Sequence, residues 1–294
     1  VVNRSMGSKC FDIFNYSFMA LFCLTILLPF WDMFILSISD AKLSASLSMR
    51  LWPKTFDLSA YYFAFSDNKI PLAYLVTIYR TICGTILSLV LTVIAAYPLS
   101  KKDLPLRNVM TTIFLIPMFF GGGLIPTYII IRKLGLVDNL LVYILPGAVG
   151  IFTILIVRNT FMSMDKALEE SAFMDGAGYL TILFRIYVPL SKPILATVAL
   201  WSMVGHWNAW FDALIYIRSE DKMVLQSILQ RMVAMTSNFS EEALQFQMQN
   251  PGLFVTSQTF QAAVTIVTIG PIVMVYPFFQ KYFVKGIMIG SLKG

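Results

Sequence analysis

The chain has 294 residues, 57% of them hydrophobic and 13% charged, with a formal net charge of +6 and a mean hydropathy of +0.74. That apolar content exceeds what the core of a soluble domain of this length uses, which excludes a soluble enzyme and places the chain in a bilayer. Positive charge is ordinary in membrane proteins, and no basic run interleaved with aromatic residues is present, so nucleic acid is not an expected partner.

A spanning helix needs roughly 20 mostly apolar residues, and about six stretches meet or approach that length. They are 13–38, 72–98, 109–131, 140–157, 194–217 and 262–283. The fold class is therefore an all-α integral membrane protein, read as a single transmembrane domain over 1–294. The first stretch follows Arg4 and Lys9 but is too long for a secretory signal and lacks a small-residue cleavage site, so it reads as an uncleaved span. Cys10, Cys23 and Cys83 lie in or beside apolar segments without metal-ligand spacing, which predicts neither a disulfide framework nor a metal site.

In chain order, the long polar segment 39–71 separates the first two spans. Arg80 then falls about 12 Å into the second span, where a cation must snorkel, pair with a neighbouring chain or meet an anionic solute. The third span is interrupted by Pro117, Gly121, Gly122, Gly123 and Pro126. Backbone freed in this way is tolerated where it is buried or lines a watery cavity, which makes Gly122 a pathway candidate; a packing kink explains the same residues. The fifth span holds Trp201, His206, Trp207, Asn208, Trp210 and Asp212, and helical spacing aligns Trp201, Gly205, Asn208 and Asp212 on one face. Aromatic faces suit sugar rings, and amide and carboxylate groups hydrogen-bond hydroxyls. An interfacial aromatic belt with a helix-end acid is the competing reading for Trp210 and Asp212. His206 is the only histidine, so it reads as a packed residue rather than a catalytic base. The segment 218–261 is a second long loop, mixing Gln, Glu, Asn and Ser with periodic apolar residues.

Lysine and arginine are commoner on the side that carries the N-terminus, which holds Arg4, Lys9, Lys101, Lys102, Arg107, Arg158, Lys166, Arg185, Lys192, Lys281, Lys285 and Lys293, than on the other, which holds Lys42, Arg50, Lys54, Lys69, Arg132, Lys133, Arg218, Lys222 and Arg231. The positive-inside rule therefore puts both termini and the loop 159–193 in the cytoplasm, with 39–71 and 218–261 outside.

That cytoplasmic loop is too polar to span and too patterned for a linker. Ser163 or Asp165 can cap a helix, Glu169 and Glu170 lie near its positive end, and Asp175-Gly176-Ala177-Gly178 supplies a stop. A second amphipathic stretch places Leu180, Leu183, Phe184 and Tyr187 at helical spacing and is expected to end at Val188-Pro189. An interfacial helix pair lying on lipid headgroups would account for the amphipathicity alone.

The word order Glu169-Glu170-Ser171-Ala172-Phe173-Met174-Asp175-Gly176-Ala177, followed by Ile186-Tyr187-Val188-Pro189, resembles the EAA loop of ABC importer permeases. Ser171 stands where that family usually has alanine, and Val188 where it often has leucine. The Ser191-Lys192-Pro193-Ile194-Leu195 start of the fifth span and the Val284-Lys285-Gly286 to Lys293-Gly294 tail resemble sugar-importer permeases of the maltose type, specifically the six-span subunit of the heterodimer. Gly121-Gly122-Gly123-Leu124-Ile125-Pro126 and the long loop before the last span are similar to permeases for complex or acidic oligosaccharides, the alginate and aldouronate importers among them.

The resemblance implies a binding-protein-dependent inner-membrane importer of an oligosaccharide. It assigns ATPase coupling to Glu169, Glu170, Ser171, Ala172, Asp175 and Gly176, and it implies as partners a second permease, two ATP-binding subunits and an extracytoplasmic solute-binding protein. The chain lacks a Gly-x-x-x-x-Gly-Lys-Ser/Thr loop, so ATP and Mg are expected on the partner ATPase subunits and no cofactor here. Trp201, His206, Trp207, Asn208, Asp212, Arg80 and Gly122 are the candidate substrate pathway. The alternative function is an ion-coupled secondary transporter, against which stand the lack of paired inverted halves and the few intramembrane carboxylates. An intramembrane enzyme ranks below both, since no nucleophile, base and orienting trio stands out.

Overall fold

The computed structural model describes residues 6–41, 51–66, 68–234 and 239–291, with side chains excluded over 233–242, at 276 and over 279–291. Of the residues used to orient the chain, Arg4, Lys42, Arg50 and Lys293 lie outside the described set, as does Gly294 of the tail. The helices in chain order are α1 (Met6–Ser37), α2 (Ser59–Ser66), α3 (Lys69–Ser100), α4 (Arg107–Phe119), α5 (Leu124–Lys133), α6 (Ile151–Met162), α7 (Lys166–Met174) and α8 (Tyr179–Leu190). They continue as α9 (Lys192–Asn208), α10 (Phe211–Tyr216), α11 (Leu225–Ala234), α12 (Phe239–Gln249) and α13 (Ser257–Ser291). The chain forms two compact units, one of 1–68 with 231–270 and one of 69–230 with 271–294.

Among the described residues, α1, α3 and the Ser257–Val275 part of α13 are each long and apolar enough to cross a membrane alone. The other expected spans are broken. Residues 109–131 form α4 and α5, bent by 113° at the glycine run, where Gly123 has φ +81° and Gly121 and Gly122 cannot hold a helix against the exposed backbone. Residues 140–157 give a short 3-10 turn, Leu140–Tyr143, and then only the 12 residues of α6, because Pro146-Gly147 and Gly150 delay the helix start. Residues 194–217 split into α9 and α10 at an extended Ala209. The loop expected over 218–261 is largely helical, since its periodic apolar residues build α11 and α12.

Within the first unit, Phe63 of α2 meets Phe246 and Phe260 edge-on at 4.9 and 4.8 Å. The Tyr61 hydroxyl shares a 2.8 Å hydrogen bond with Ser37, and Trp31 Nε1 donates to the Leu51 carbonyl at 3.1 Å. The last two contacts hold Leu51 and Tyr61 against the end of α1. Most of α1 is exposed, as expected of a helix that is apolar all round and solvated by hydrocarbon.

The second unit is organised around α3. Its buried face is small and hydroxylated, formed by Ala73, Thr77, Thr81, Gly84, Thr85, Ser88, Thr92 and Ala96, while Leu75, Ile82, Ile86, Val90 and Ile94 point outward. In lipid, apolar burial gives no net drive, so helices associate through small residues that bring backbones close and through interhelical hydrogen bonds. Helices α6 and α9 pack on this face: Thr92 and Thr153 share a hydroxyl contact at 3.4 Å. Apolar clusters close both ends of α3. One joins Val76 to Ile131, Tyr143, Ala213 and Val224; the other joins Val93 to Ile154, Phe161, Leu183 and Val198. The two lie about 25 Å apart along the helix at 1.5 Å per residue.

A Cβ added at Gly84 would lie 2.5 Å from the His206 ring, whereas one at Gly205 would meet nothing within 4 Å. Gly84→Ala is therefore expected to push α9 off α3 and destabilise the isolated chain by about 1–3 kcal/mol. Gly205→Ala is expected to be neutral or stabilising by up to about 1 kcal/mol. Thermal unfolding in detergent compares them.

Candidate functional site

The loop 159–193 folds as two helices around a glycine corner. Asp165 supplies the cap of α7, its Oδ1 accepting from Ala167 N at 3.0 Å; Ser163 instead closes the end of α6, donating to the Thr160 carbonyl. The helix ends in a Schellman pattern, with Gly176 N donating to the Phe173 carbonyl and Ala177 N to the Ala172 carbonyl, both at 2.9 Å. Gly176 takes φ +79° to make it, a conformation that costs an L side chain roughly 1–2 kcal/mol. The Ser171 hydroxyl donates back to the Ala167 carbonyl. Pro189 does not stop the second helix as expected. A π turn over Leu183–Tyr187 precedes it and opens the backbone enough to accept a residue without an N–H, so α8 runs on to Leu190.

The two adjacent glutamates point in different directions, as residues 100° apart on a helix must. Glu170 is exposed. Glu169 turns inward, where its carboxylate accepts from Lys101 Nζ, from the Tyr187 hydroxyl at 2.8 Å and from the Tyr97 hydroxyl at 3.4 Å. Lys101 Nζ also lies 4.2 and 4.3 Å from the ring centroids of Tyr97 and Tyr187, and Phe161 packs edge-on against both rings. Burial pushes the Glu169 carboxyl up, but the hydrogen bonds from Lys101 and Tyr187 and the lysine charge outweigh it and hold the pKa below its ordinary 4.5. A depressed carboxylate stabilises the fold above that ordinary value and loses its contribution as pH falls through the depressed one. Outside this cluster, Phe173, Met174, Tyr179, Leu180 and Phe184 form an exposed apolar set around the corner. The face expected from Leu180, Leu183, Phe184 and Tyr187 is thus divided: Leu183 and Tyr187 are buried, Leu180 and Phe184 exposed.

Inside α3, in its first half, Arg80 is only 4% exposed. It neither snorkels nor reaches outward. Its guanidinium makes a bidentate pair with Asp212, with Nη1 to Oδ1 at 3.0 Å and Nη2 on Oδ2. Nη1 also donates to the Ala209 carbonyl at 3.1 Å, and the group stacks 4.8 Å from the Tyr143 ring centroid. The carbonyl freed where α9 breaks is thereby satisfied, and so is the negative end of the α9 dipole. Asp212 is consequently not on one continuous helical face with Trp201, Gly205 and Asn208. The fifth-span residues form two sets. Trp201, Gly205 and Asn208 are exposed together; Trp201 stacks on Phe152 at 6.3 Å, and the Asn208 Oδ1 accepts from Gln226 Nε2 at 3.3 Å. His206, Trp207 and Asp212 turn inward: His206 lies on Gly84 and Trp207 meets Tyr74 edge-on at 5.9 Å. Gly122 lies in the exposed break between α4 and α5 and contacts none of these.

Asp138 clips the turn after α5 to the segment after α10. Its Oδ1 accepts from the backbone of Arg218 and Ser219 at 3.1 and 3.0 Å, its Oδ2 accepts from the Ser219 hydroxyl at 2.6 Å, and Lys222 Nζ donates to its carbonyl at 2.7 Å. The Ser219 hydroxyl, the Ser219 and Arg218 amides and Lys222 keep this carboxylate ionised far below the usual range. Sequence reasoning named Lys101 only as a cation that orients the chain and Tyr187 only as part of an amphipathic face, and did not single out Tyr97, Asp138 or Gln226. Each reads alone as a span-end cation, an interfacial aromatic or a polar loop residue, and only the tertiary contacts pair them.

Asp212→Asn or Asp212→Ala leaves the Arg80 charge buried without its partner, a change that typically costs about 3–5 kcal/mol. Removing both charges in Arg80→Met/Asp212→Leu is expected to recover much of that loss. Unfolding temperatures of the three variants in one detergent check the order.

The family described as "Binding-protein-dependent transport system inner membrane component" matches residues 88–289. The chain is 36% identical over 289 residues to the polygalacturonan/rhamnogalacturonan transport system permease protein YtcP of Bacillus subtilis (strain 168), covering 98% of this chain and 100% of that one. It is 36% identical over 293 residues to protein LplC of the same organism, covering 100% of this chain and 98% of the relative. A bacterial ABC transporter involved in the import of the acidic polysaccharide alginate contains a chain of similar structure, with a TM-score of 0.86 at 34% identity over 96% of this chain and 100% of that one. The loop helix capped by Asp165 and stopped at Gly176 lies within the residues that match this family, and with relatives 36% identical over nearly the whole length the chain belongs to the family of inner-membrane components of binding-protein-dependent transport systems.

Proposed function

We propose that this chain is the permease of an ABC importer for oligosaccharides, uronic-acid-containing chains among them, and that it works with a second permease, two ATP-binding subunits and an extracytoplasmic binding protein. The observation that carries the transport reading is α7 with its glycine corner, a rigid, capped helix with an exposed apolar flank and an inner side tied to the bundle. Docked in a groove of an ATPase subunit, such a helix moves as a lever when two nucleotide-bound subunits close. Glu170, Phe173, Met174 and Leu180 would meet the groove, and Asp165, Ser171, Ala172, Asp175 and Gly176 would keep the lever stiff. ATP and Mg would belong to the partner. In this reading the loop and both termini face the cytoplasm, in line with the excess of lysine and arginine on that side.

The substrate class is supported by the exposed face of α9. Trp201 offers a ring for sugar faces, and Asn208 held by Gln226 offers amide groups for hydroxyls, a combination fitted to neutral parts of a saccharide. Relatives that carry polygalacturonan, rhamnogalacturonan and alginate add the acidic class. Arg80 is not the anion receptor, because Asp212 already matches its charge. His206, Trp207, Arg80 and Asp212 support the pathway face from behind, and the backbone around Gly122 offers donors and acceptors at the α4–α5 break. Membership of the transport family removes the ground for the secondary-transporter reading.

The complex reconstituted in liposomes with its binding protein is expected to hydrolyse ATP faster when that protein is loaded with oligogalacturonides or oligomannuronides. Met174→Asp, which puts a charge into the apolar flank, is expected to lower the stimulation by about tenfold or more. Stimulation by neutral oligosaccharides alone would discard the acidic substrate and keep the permease; stimulation that survived Met174→Asp, Gly176→Val and Glu170→Lys would remove the loop from coupling.

A further inference from the structure

The docking flank of α7 explains how an ATPase subunit could grip the loop but not how its motion would reach the membrane. Helix α7 has no fully buried residue of its own, and its apolar hold on the bundle is light, the partly buried Ala172 packing against the cluster of Val93, Phe161 and Leu183. The contact of fixed geometry is polar and is made by the more buried of the two glutamates. Glu169 enters a pocket formed by Tyr97 and Lys101 at the end of α3 and by Tyr187 at the π turn of α8. The Glu169 and Lys101 side chains are 14% and 20% exposed. Lys101 Nζ donates to Tyr187 Oη at 3.0 Å as well, so the carboxylate, ammonium and both hydroxyls form one connected network walled by Phe161. Partial exclusion of water strengthens each charge-assisted bond and fixes its direction.

We propose that Glu169 is a positioning residue that joins the coupling helix to α3, so that movement of α7 is delivered to the end of a rigid helix. This rests on the importer reading above and changes one of its assignments: Glu169 acts on the membrane side of the lever, Glu170 on the ATPase side. Lys101 directly follows the last residue of α3, and α3 carries α9 on its small-residue face, with His206 seated on Gly84. A displacement applied at Glu169 therefore passes through α3 to the helix that bears Trp201 and Asn208. Tyr187 splits the connection, since the same carboxylate oxygen also holds the start of the path into α9 through α8. Apolar packing in lipid is weak in specificity, whereas an ion pair with three further hydrogen bonds has one geometry, which a lever joint requires.

The test separates fastening from mere stabilisation in the full complex with its loaded binding protein. Four forms are compared: Glu169→Gln, Lys101→Met, the double variant, and Tyr187→Phe. ATPase subunits are expected to co-purify with all four at the wild-type ratio, because the docking flank is intact. Stimulation by the loaded binding protein is expected to fall about fivefold or more in the first three, and less in Tyr187→Phe, which keeps the ring and the ion pair. Each single charge variant leaves one charge unmatched and lowers the unfolding temperature; the double variant leaves none and regains much of it. Lost stimulation in a double variant of restored stability is the expected signature. Stimulation that returns with stability would overturn the proposal and leave a structural ion pair. Loss of ATPase subunits from Glu169→Gln, as from Met174→Asp, would overturn it by placing Glu169 in the docking surface. A wild-type complex that no loaded binding protein stimulates would overturn the importer reading, and this proposal with it.

Discussion

Hydrocarbon donates and accepts no hydrogen bonds, so wherever a membrane helix breaks, the chain must close the break with groups of its own. Arg80 meets that constraint at the centre of the second unit. Its guanidinium holds the Ala209 carbonyl, the Asp212 carboxylate and the Tyr143 ring at once, and so fixes where α9 ends and α10 begins. The buried charge and the broken helix are each costly alone. Together they satisfy one another, and the α3 face below is free to consist of threonine, serine, alanine and glycine.

The same logic recurs at both ends of α3. Near its start, Asp138 accepts two backbone amides and a hydroxyl from the segment after α10, while its own carbonyl receives Lys222. Near its end, Glu169 and Lys101 sit between Tyr97 and Tyr187. Polar ties of fixed geometry thus fasten loops whose apolar residues would otherwise slide against lipid-solvated helices. The α4 and α5 pair is the contrast: α4 buries none of its residues, and its junction with α5 at Gly121 to Gly123 is exposed.

The proposed division of labour follows this arrangement. The exposed face with Trp201 and Asn208 is polar and aromatic, and the residues behind it, His206, Trp207 and Asp212, are framework. On α7, two consecutive glutamates meet different surroundings because a helix turns 100° per residue. The flank is exposed, whereas the inner tie is constrained by four side chains at once.

Composition determined the membrane class, because a spanning segment is set by length and hydropathy and needs no partner to be recognised. Local chemistry determined the cap and stop of α7, since Asp165 and Gly176 act within a few residues of themselves. The word order around Glu170 and Gly176 brought the transport family into view. Three things were decided only by tertiary structure. The break at Ala209, unlike the one that the glycine run at 121–123 already marked, required knowing which groups would take up the freed backbone, and Arg80 comes from a helix far away in sequence. The splitting of Trp201, Asn208 and Asp212 followed from that break, which ended the helical register on which their alignment depended. The inward turn of Glu169 required Tyr97, Lys101 and Tyr187, whose positions are set by the packing of α3 against α8. Hydropathy and spacing are properties of one segment, whereas the partner of a buried charge is a property of the whole packed chain, and sequence alone does not state it.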